Sequence, residues 1–223
     1  MLDALPGTLL FLLMMAGLFI PLEAFYGARR QVPKGRPLAA SLLVLNTLLM
    51  QWLGVPVLDA LSAVVQVKET RSLALFALVF VSADLIGYFI HRAMHRVPFL
   101  WRFHKLHHEA TELSWLDAWR QHPVDSVVHG LAVGLPGALL GASLSQVASV
   151  VVLRKAFTTF LHADLPVNFG LVLASPAFHA VHHSADPREY DTHFAGTFPL
   201  WDALFGTLPQ PLTLSRTPTS SAS

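Results

Sequence analysis

Three long apolar segments constrain the fold of this chain more than any other feature of its sequence. They cover residues 9–27, 38–58 and 73–90, and each is about long enough to cross a bilayer as a helix rising 1.5 Å per residue. The chain is 53% hydrophobic and 13% charged, and a soluble globule carries about twice that charged fraction. The sequence therefore predicts an all-α membrane protein. The first segment lacks the basic leader and the cleavage site of a signal peptide, so we interpret it as a span.

A fourth apolar tract covers residues 127–153 and is divided near its middle by the motif GLPGALLG. Proline and glycine weaken a helix interior, and about 27 residues are too few for two full crossings. The tract therefore predicts two short helices that fold back on each other, as a hairpin or as a re-entrant pair.

Basic residues predict the orientation of the spans. One basic cluster follows the first span and contains Arg29, Arg30, Lys34 and Arg36. A second follows the third span and contains Arg92, Arg96, Arg102 and Lys105. Because positive charge in short loops marks the cytoplasmic side, both clusters place the end of the third span in the cytoplasm. We predict a multi-pass protein with N-terminal transmembrane helices in residues 1–72, a catalytic domain in residues 73–210 and a disordered tail in residues 211–223.

Charge and cysteine content exclude several classes of function. The formal net charge is +1 and no long basic run is present, so nucleic acid is not an expected partner. Cysteine is absent, which excludes disulfides and thiolate metal sites. Any bound metal must therefore be held by nitrogen or oxygen.

All twelve histidines lie between His91 and His193, and most of them follow helical spacing. The groups are an i,i+4 pair, two triplets with the pattern HxxHH and one histidine that ends an apolar helix: His91 and His95; His104, His107 and His108; His179, His182 and His183; and His162. Positions i, i+3 and i+4 share one helical face, so each triplet directs three imidazoles into one volume. Ser175 and Pro176 provide a typical start for the helix of the second triplet.

Eight or nine converging imidazoles suit two metal ions, because a haem needs only axial histidines and one zinc ion needs three or four ligands. Imidazole nitrogen binds Zn, Cu, Fe and Ni alike, so the histidines do not choose the metal. Asp84 and Tyr88 lie on the same helical stripe as His91 and His95, where Asp84 can orient an imidazole by accepting its distal N–H. Two alternatives stay open, a zinc-dependent membrane hydrolase and a non-catalytic metal transporter.

The ordered motifs DLIGYFIHRAMH, FHKLHH, RQHPVD, FLH, FHAVHH and WDALFGT resemble those of the fatty acid hydroxylase / sterol desaturase superfamily of integral-membrane di-iron oxygenases, over about residues 75–207. The resemblance implies two iron ions, O2 as co-substrate and attack on an unactivated C–H bond of a lipid such as a sterol or a fatty acyl chain. It also implies a set of nine metal ligands: His91, His95, His104, His107, His108, His162, His179, His182 and His183.

Hydroxylation and desaturation both fit this resemblance, and we favour hydroxylation. No flavin-binding or cytochrome-like module fits in the remaining sequence, so we expect a separate electron donor, a reductase or a ferredoxin. The lipid is expected to reach the site from the bilayer.

Several residues near these motifs have two interpretations. His122 is either a tenth ligand or a hydrogen-bond partner of a ligand. His193 stands where many relatives carry Asn, and we expect it at the surface rather than bonded to a ligand. His129 is expected to be structural, and Asp202 is expected to be an N-cap or an ion-pair partner. Three tryptophans are expected in a membrane-interface belt: Trp101, Trp115 and Trp119.

Overall fold

The structure is a computed structural model that describes residues 5–28, 35–65, 72–110 and 112–208. These residues form nine α-helices and no strand, which confirms the predicted all-α class. The helices are α1 (Leu5–Tyr26), α2 (Arg36–Leu49), α3 (Val55–Val65), α4 (Leu73–Arg96), α5 (Pro98–His108), α6 (Pro123–Leu139), α7 (Leu144–His162), α8 (Pro176–His182) and α9 (Leu200–Leu204). The predicted tail, residues 211–223, lies outside the described residues.

Four helical segments are long and apolar enough to cross a membrane: Gly7–Tyr26, Arg36–Val65, Leu73–Arg96 and Leu144–His162. The first three correspond to the three spans predicted from the sequence. The second is made of α2 and α3, which are joined by the π-helical turn Met50–Gly54. Pro56 has no N–H to donate to the preceding turn, and the wider π turn carries the chain past it without ending the span.

The fourth apolar tract forms a helical hairpin that breaks within the predicted motif GLPGALLG, residues 134–141, but its second helix is not short, because α7 has 19 residues and is long enough to cross a membrane. Pro136 lies inside α6, and the chain turns after Leu140, where Gly141 adopts a φ of +71°. Ser143 then caps α7 and accepts a hydrogen bond of 3.3 Å from the backbone N–H of Gln146. Gly134, the first glycine of the motif, serves packing, because a Cβ on it would collide with the side chain of Leu58.

The helices bury two main apolar clusters. One joins α4 to the hairpin and contains Val79, Ala83, Ala142, Val147 and Val150. The other joins α1 to the region around Trp115 and Ala163. Trp115 and Trp119 are buried, so the predicted interface belt is wrong for both of them, whereas Trp101 is 36% exposed. Trp115 packs against Met15 and Phe19 of α1, and Trp119 packs against Leu43 of α2.

A buried carboxylate of α1 fastens this helix to the segments around Trp115 and Asp164. Glu23 accepts a hydrogen bond of 2.7 Å from the backbone N–H of Trp115 and one of 3.1 Å from that of Asp164. Arg36, at the start of α2, lies 3.4 Å from the same carboxylate. These contacts therefore hold together the end of α1, the start of α2 and the segment directly after α7.

Candidate metal centre

Nine histidines converge at this end of the bundle and form two groups. Centre A consists of five histidines: His91, His95, His104, His108 and His182. Centre B consists of the other four: His107, His162, His179 and His183. Within each group, one ring nitrogen of every member lies within 4.8 Å of those of the others. The structure thus brings together all nine residues of the predicted ligand set.

The two HxxHH triplets divide between the centres in a complementary way. In α5, the i,i+4 pair His104 and His108 belongs to centre A and His107 belongs to centre B. His179 of α8 and His183, the C-cap residue directly after this helix, belong to centre B, whereas His182 belongs to centre A. Each short helix therefore contributes ligands to both centres.

The remaining candidate ligands come from the ends of two of the candidate spans, α4 and α7. His91 and His95 project from the last turns of α4, and His162 is the last residue of α7. The rings of His108 and His183 stack at 4.4 Å between centroids, at an angle of 17°, where the two centres adjoin. Centre B is buried throughout, whereas three members of centre A are partly accessible.

Backbone carbonyls fix the tautomer of several ligands. The Nδ1 atoms of four rings lie 2.8–3.3 Å from carbonyl oxygens: His91 with Phe194, His107 with Arg120, His162 with Thr158, and His182 with Thr192. A carbonyl oxygen only accepts hydrogen bonds, so each of these Nδ1 atoms carries the proton. The Nε2 atom of each neutral ring is then an unprotonated donor atom for a metal.

These unprotonated nitrogens face each other. The Nε2 atoms of His107 and His162 lie 3.1 Å apart, and those of His162 and His179 lie 3.2 Å apart. Since His107 and His162 both carry their protons on Nδ1, no proton is available between their Nε2 atoms, and the two lone pairs repel unless a cation accepts both. The buried Nε2 atoms of His91, His104 and His182 likewise lack a hydrogen-bond partner. The residues therefore fit bound metal ions.

The burial of the cluster keeps its rings in the neutral form that binds metals. Burial lowers the pKa of His107, His108, His179, His182 and His183 well below the ordinary value of 6.5, and neighbouring imidazoles lower it further. Burial also lowers the pKa of His104, although the neighbouring Asp125 opposes this. A metal ion consequently meets little competition from protons at neutral pH.

Asp125 supports centre A and was missed as a site residue in the sequence. It is completely buried in the first turn of α6, and its carboxylate lies 3.0 Å from Nδ1 of His104 and 2.7 Å from Nδ1 of His129. The carboxylate accepts both protons and so directs Nε2 of His104 into centre A. Its signal was present in the motif RQHPVD, where an acidic residue opens an apolar helix four positions before a histidine.

Asp84 does not orient an imidazole, contrary to the interpretation from its helical stripe. It forms an ion pair with Arg154 of α7 and accepts hydrogen bonds from the backbone N–H of Phe198, at 3.2 Å, and from Nε1 of Trp201, at 2.8 Å. Tyr88 is also outside both centres, and its hydroxyl lies 2.8 Å from Oγ1 of Thr207. Both side chains turn towards the segment after α8 because that segment, rather than a ligand, packs on this face of α4.

His122 and His193 lie outside both centres. His122 is the N-cap of α6, where its Nδ1 accepts a hydrogen bond of 3.2 Å from the backbone N–H of Val124. His193 is buried, so its predicted surface location is wrong, and its ring packs against Phe178 at 4.4 Å between centroids. Its φ of +58° is a left-handed conformation that both Asn and His tolerate better than most residues.

Asp202 holds the loop that positions His91. Its carboxylate accepts hydrogen bonds of 2.8 Å from the backbone N–H groups of Phe194 and Ala195, and one of 2.6 Å from Thr207. The carbonyl of Phe194 in turn accepts the Nδ1 proton of His91. The predicted N-cap or ion-pair role of Asp202 is wrong, because the residue lies inside α9 and its side chain reaches back to the preceding loop.

Comparison with known proteins finds a matching family model and similar proteins. The sequence model described as "Fatty acid hydroxylase" matches residues 76–207, which contain all nine candidate ligands. The chain is 28% identical over 133 residues to alkylglycerol monooxygenase of Xenopus tropicalis, a match that covers 58% of this chain and 29% of the relative. It is 31% identical over 135 residues to ornithine lipid hydroxylase OlsE of Rhizobium tropici, which covers 59% of this chain and 40% of the relative. No solved structure matches the chain significantly.

Proposed function

Because the chain belongs to the fatty acid hydroxylase family, we propose that it is an integral-membrane monooxygenase that hydroxylates a C–H bond of a lipid. Centres A and B would each hold one iron ion, and O2 would be the co-substrate. Each turnover would consume O2, two electrons and two protons, with one oxygen atom entering the lipid as a hydroxyl and the other leaving as water.

One observation carries this proposal: two adjacent groups of imidazoles present unprotonated nitrogens that point at each other inside a buried volume. A zinc hydrolase needs three or four ligands and an open position on one ion, and nine histidines exceed that number. A transporter needs its ligands along a path through the bilayer, whereas these ligands are gathered at one end of the bundle.

The residues of the chain would hold and orient the two ions and keep water away from them. Bound iron would supply the activation of O2. Carbonyl oxygens and Asp125 hold the rings through Nδ1, so the ligands are preorganised before a metal arrives. The burial of centre B limits the access of water, which protects reactive species formed during oxidation.

The relatives and the apolar surface support a lipid substrate. The names of the two relatives specify an alkylglycerol and an ornithine lipid, and both molecules carry long hydrocarbon chains. A groove of about 620 Å³ lies between α1 and α7 and is lined almost entirely by apolar side chains, including Phe19, Phe157 and Phe160. A hydrocarbon chain can lie in such a groove while its head group stays at the membrane surface.

We further propose that the histidine-bearing end faces the cytoplasm and that electrons arrive from a separate protein. The positive-inside rule supports this orientation, since Arg96, Arg102 and Lys105 lie on this end of the bundle. The class of lipid stays open among sterols, fatty acyl chains, carotenoids and ether lipids.

Lipid extracts of cells with and without the protein test the reaction. We expect a lipid that gains the mass of one oxygen atom, with label from ¹⁸O2, and loss of two hydrogens would indicate desaturation instead. His107→Ala should abolish this product, whereas the matched variant His122→Asn retains an N-capping side chain and should form it. Metal analysis separates the alternatives: one zinc ion per chain would favour the hydrolase, and ions that exchange freely would favour the transporter.

A further inference from the structure

Trp101 connects the protein surface to centre A. Its ring is 36% exposed, and its centroid lies 5.0 Å from that of His95, 5.5 Å from that of His108 and 6.3 Å from that of His104. All three histidines are members of centre A. A large aromatic ring thus spans the short distance between solvent and the more accessible of the two centres.

The exposed arc of α5 beside this ring carries two basic residues, and the acidic Glu109 at its end forms an ion pair of 3.0 Å with Arg120. Arg102 and Lys105 are both exposed, and at 100° per residue they lie on either side of the middle of the arc, with Trp101 at one edge and Phe99 at the other. Over the described residues, no carboxylate lies within 4.0 Å of either basic group, whereas the neighbouring Arg96 pairs with Asp191 at 3.4 Å. The guanidinium of Arg102 lies 4.6 Å from the Phe99 ring, which holds it in place.

We propose that this outer face of α5, formed by Phe99, Trp101, Arg102 and Lys105, docks a small acidic one-electron carrier protein. The Trp101 ring provides the contact through which the electrons of the carrier reach the ligands of centre A. The inference rests on the proposed function, because two such carriers, each oxidised by one electron, supply the two electrons that O2 reduction requires during hydroxylation.

Charge and chemistry favour a protein partner over lipid head groups. The side of α5 that carries the histidines is buried on the protein, and its outer side combines Arg102 and Lys105 with the exposed rings of Phe99 and Trp101. Basic residues around an aromatic anchor are typical of interfaces that form quickly through opposite charge, and redox encounters use small surfaces of this kind. The ring contact with three ligands gives an electron carrier a reason to bind at this place.

The first experiment measures docking on the metal-loaded protein in nanodiscs of neutral phosphatidylcholine. The probe is an acidic [2Fe–2S] ferredoxin, and a basic c-type cytochrome is the control partner. We expect the double variant Arg102→Glu/Lys105→Glu to bind ferredoxin about tenfold more weakly at low salt, with the difference largely lost at about 0.5 M salt because charges are screened. Arg188→Glu changes the same charge on the loop after α8 and should bind as the wild type does.

Two outcomes would overturn the docking surface. In the first, the double variant and the wild type bind ferredoxin with equal affinity. In the second, Arg188→Glu weakens ferredoxin binding as much as the double variant does. If the double variant binds ferredoxin normally but loses affinity for vesicles that contain phosphatidylserine, the basic face contacts the membrane instead.

The second experiment tests Trp101 by anaerobic reduction of the metal centres, followed by stopped-flow spectroscopy. We expect Trp101→Leu to bind ferredoxin within about twofold of the wild type but to be reduced by it at least about tenfold more slowly, because the aliphatic side chain does not provide the aromatic contact. Trp101→Phe should restore most of the rate. Metal content is measured per chain for every variant, and rates are expressed per bound metal, so loss of metal is not mistaken for slow transfer.

An unchanged reduction rate in Trp101→Leu would exclude the ring as the point of electron entry. Failure of the proposed function is recognised separately: wild-type protein that is reduced by dithionite and supplied with O2 and lipid, yet forms no oxidised lipid, would refute hydroxylation and leave the docking measurements unaffected.

Discussion

Asp125→Asn tests whether one carboxylate holds centre A together. The two carboxylate oxygens of Asp125 accept Nδ1 protons from His104 and His129, at 3.0 Å and 2.7 Å. Asparagine has the same shape, but only its oxygen accepts, and its NH2 group would face an N–H donor. One of the two imidazoles must then lose its hydrogen bond or change its tautomer.

The expected loss of metal affinity follows from these contacts. A buried hydrogen bond to a charged group contributes about 1.5–3 kcal/mol, and removal of a comparable supporting group in metalloproteins lowers metal affinity about 10–100-fold, which is about 1.4–2.8 kcal/mol. We therefore expect Asp125→Asn to weaken metal binding at centre A by about 10–100-fold. Asp125 forms no hydrogen bond with a histidine of centre B, so centre B should retain its ion.

A chelator competition on the purified protein in nanodiscs measures this loss. Elemental analysis follows the number of ions retained per chain as the chelator concentration rises, so loss from centre A alone appears as a decrease from two ions to one. His129→Phe is the matched control, because it removes the second partner of Asp125 but leaves the contact with His104. Equal retention by Asp125→Asn and the wild type would refute the reasoning, and so would a loss as large in His129→Phe as in Asp125→Asn.

Three other predictions follow from the arrangement of ligands and loops. His182→Ala should release the ion of centre A, and His107→Ala should release the ion of centre B. Elemental analysis should find the other ion retained in each variant, and loss of both ions from either variant would show that the centres are not independent. Asp202→Ala should loosen the loop around Phe194 and raise its hydrogen exchange, while a rate of exchange equal to the wild type would contradict its anchoring role. Asp84→Asn should lower the free energy of unfolding by about 3–5 kcal/mol, because the buried charge of Arg154 loses its carboxylate partner. The metal content per folded chain should not change, and a selective loss of metal would restore the role first assigned to Asp84.

The sequence was sufficient to predict the features that depend on neighbours along the chain. The apolar lengths of the first three spans identified the helices that the structure contains. The HxxHH spacing placed three imidazoles on one face of α5 and again on α8, since the angle between residues on a helix is set by its pitch alone. Ser175 and Pro176 likewise predicted where α8 begins, because capping is a local interaction.

Only the tertiary structure decided which side chains meet across helices. Asp84 and Asp125 are both buried acids next to histidine motifs, yet Asp125 faces an imidazole and Asp84 faces Arg154. The division of each triplet between centres A and B depends on how α5 approaches α8. Spacing along one helix defines directions within that helix, whereas the distance and angle between two helices come from packing of all the side chains between them. The sequence placed the break of the hairpin within GLPGALLG, but for the same reason only the structure showed that Gly134 packs against Leu58 and that the turn forms at Gly141.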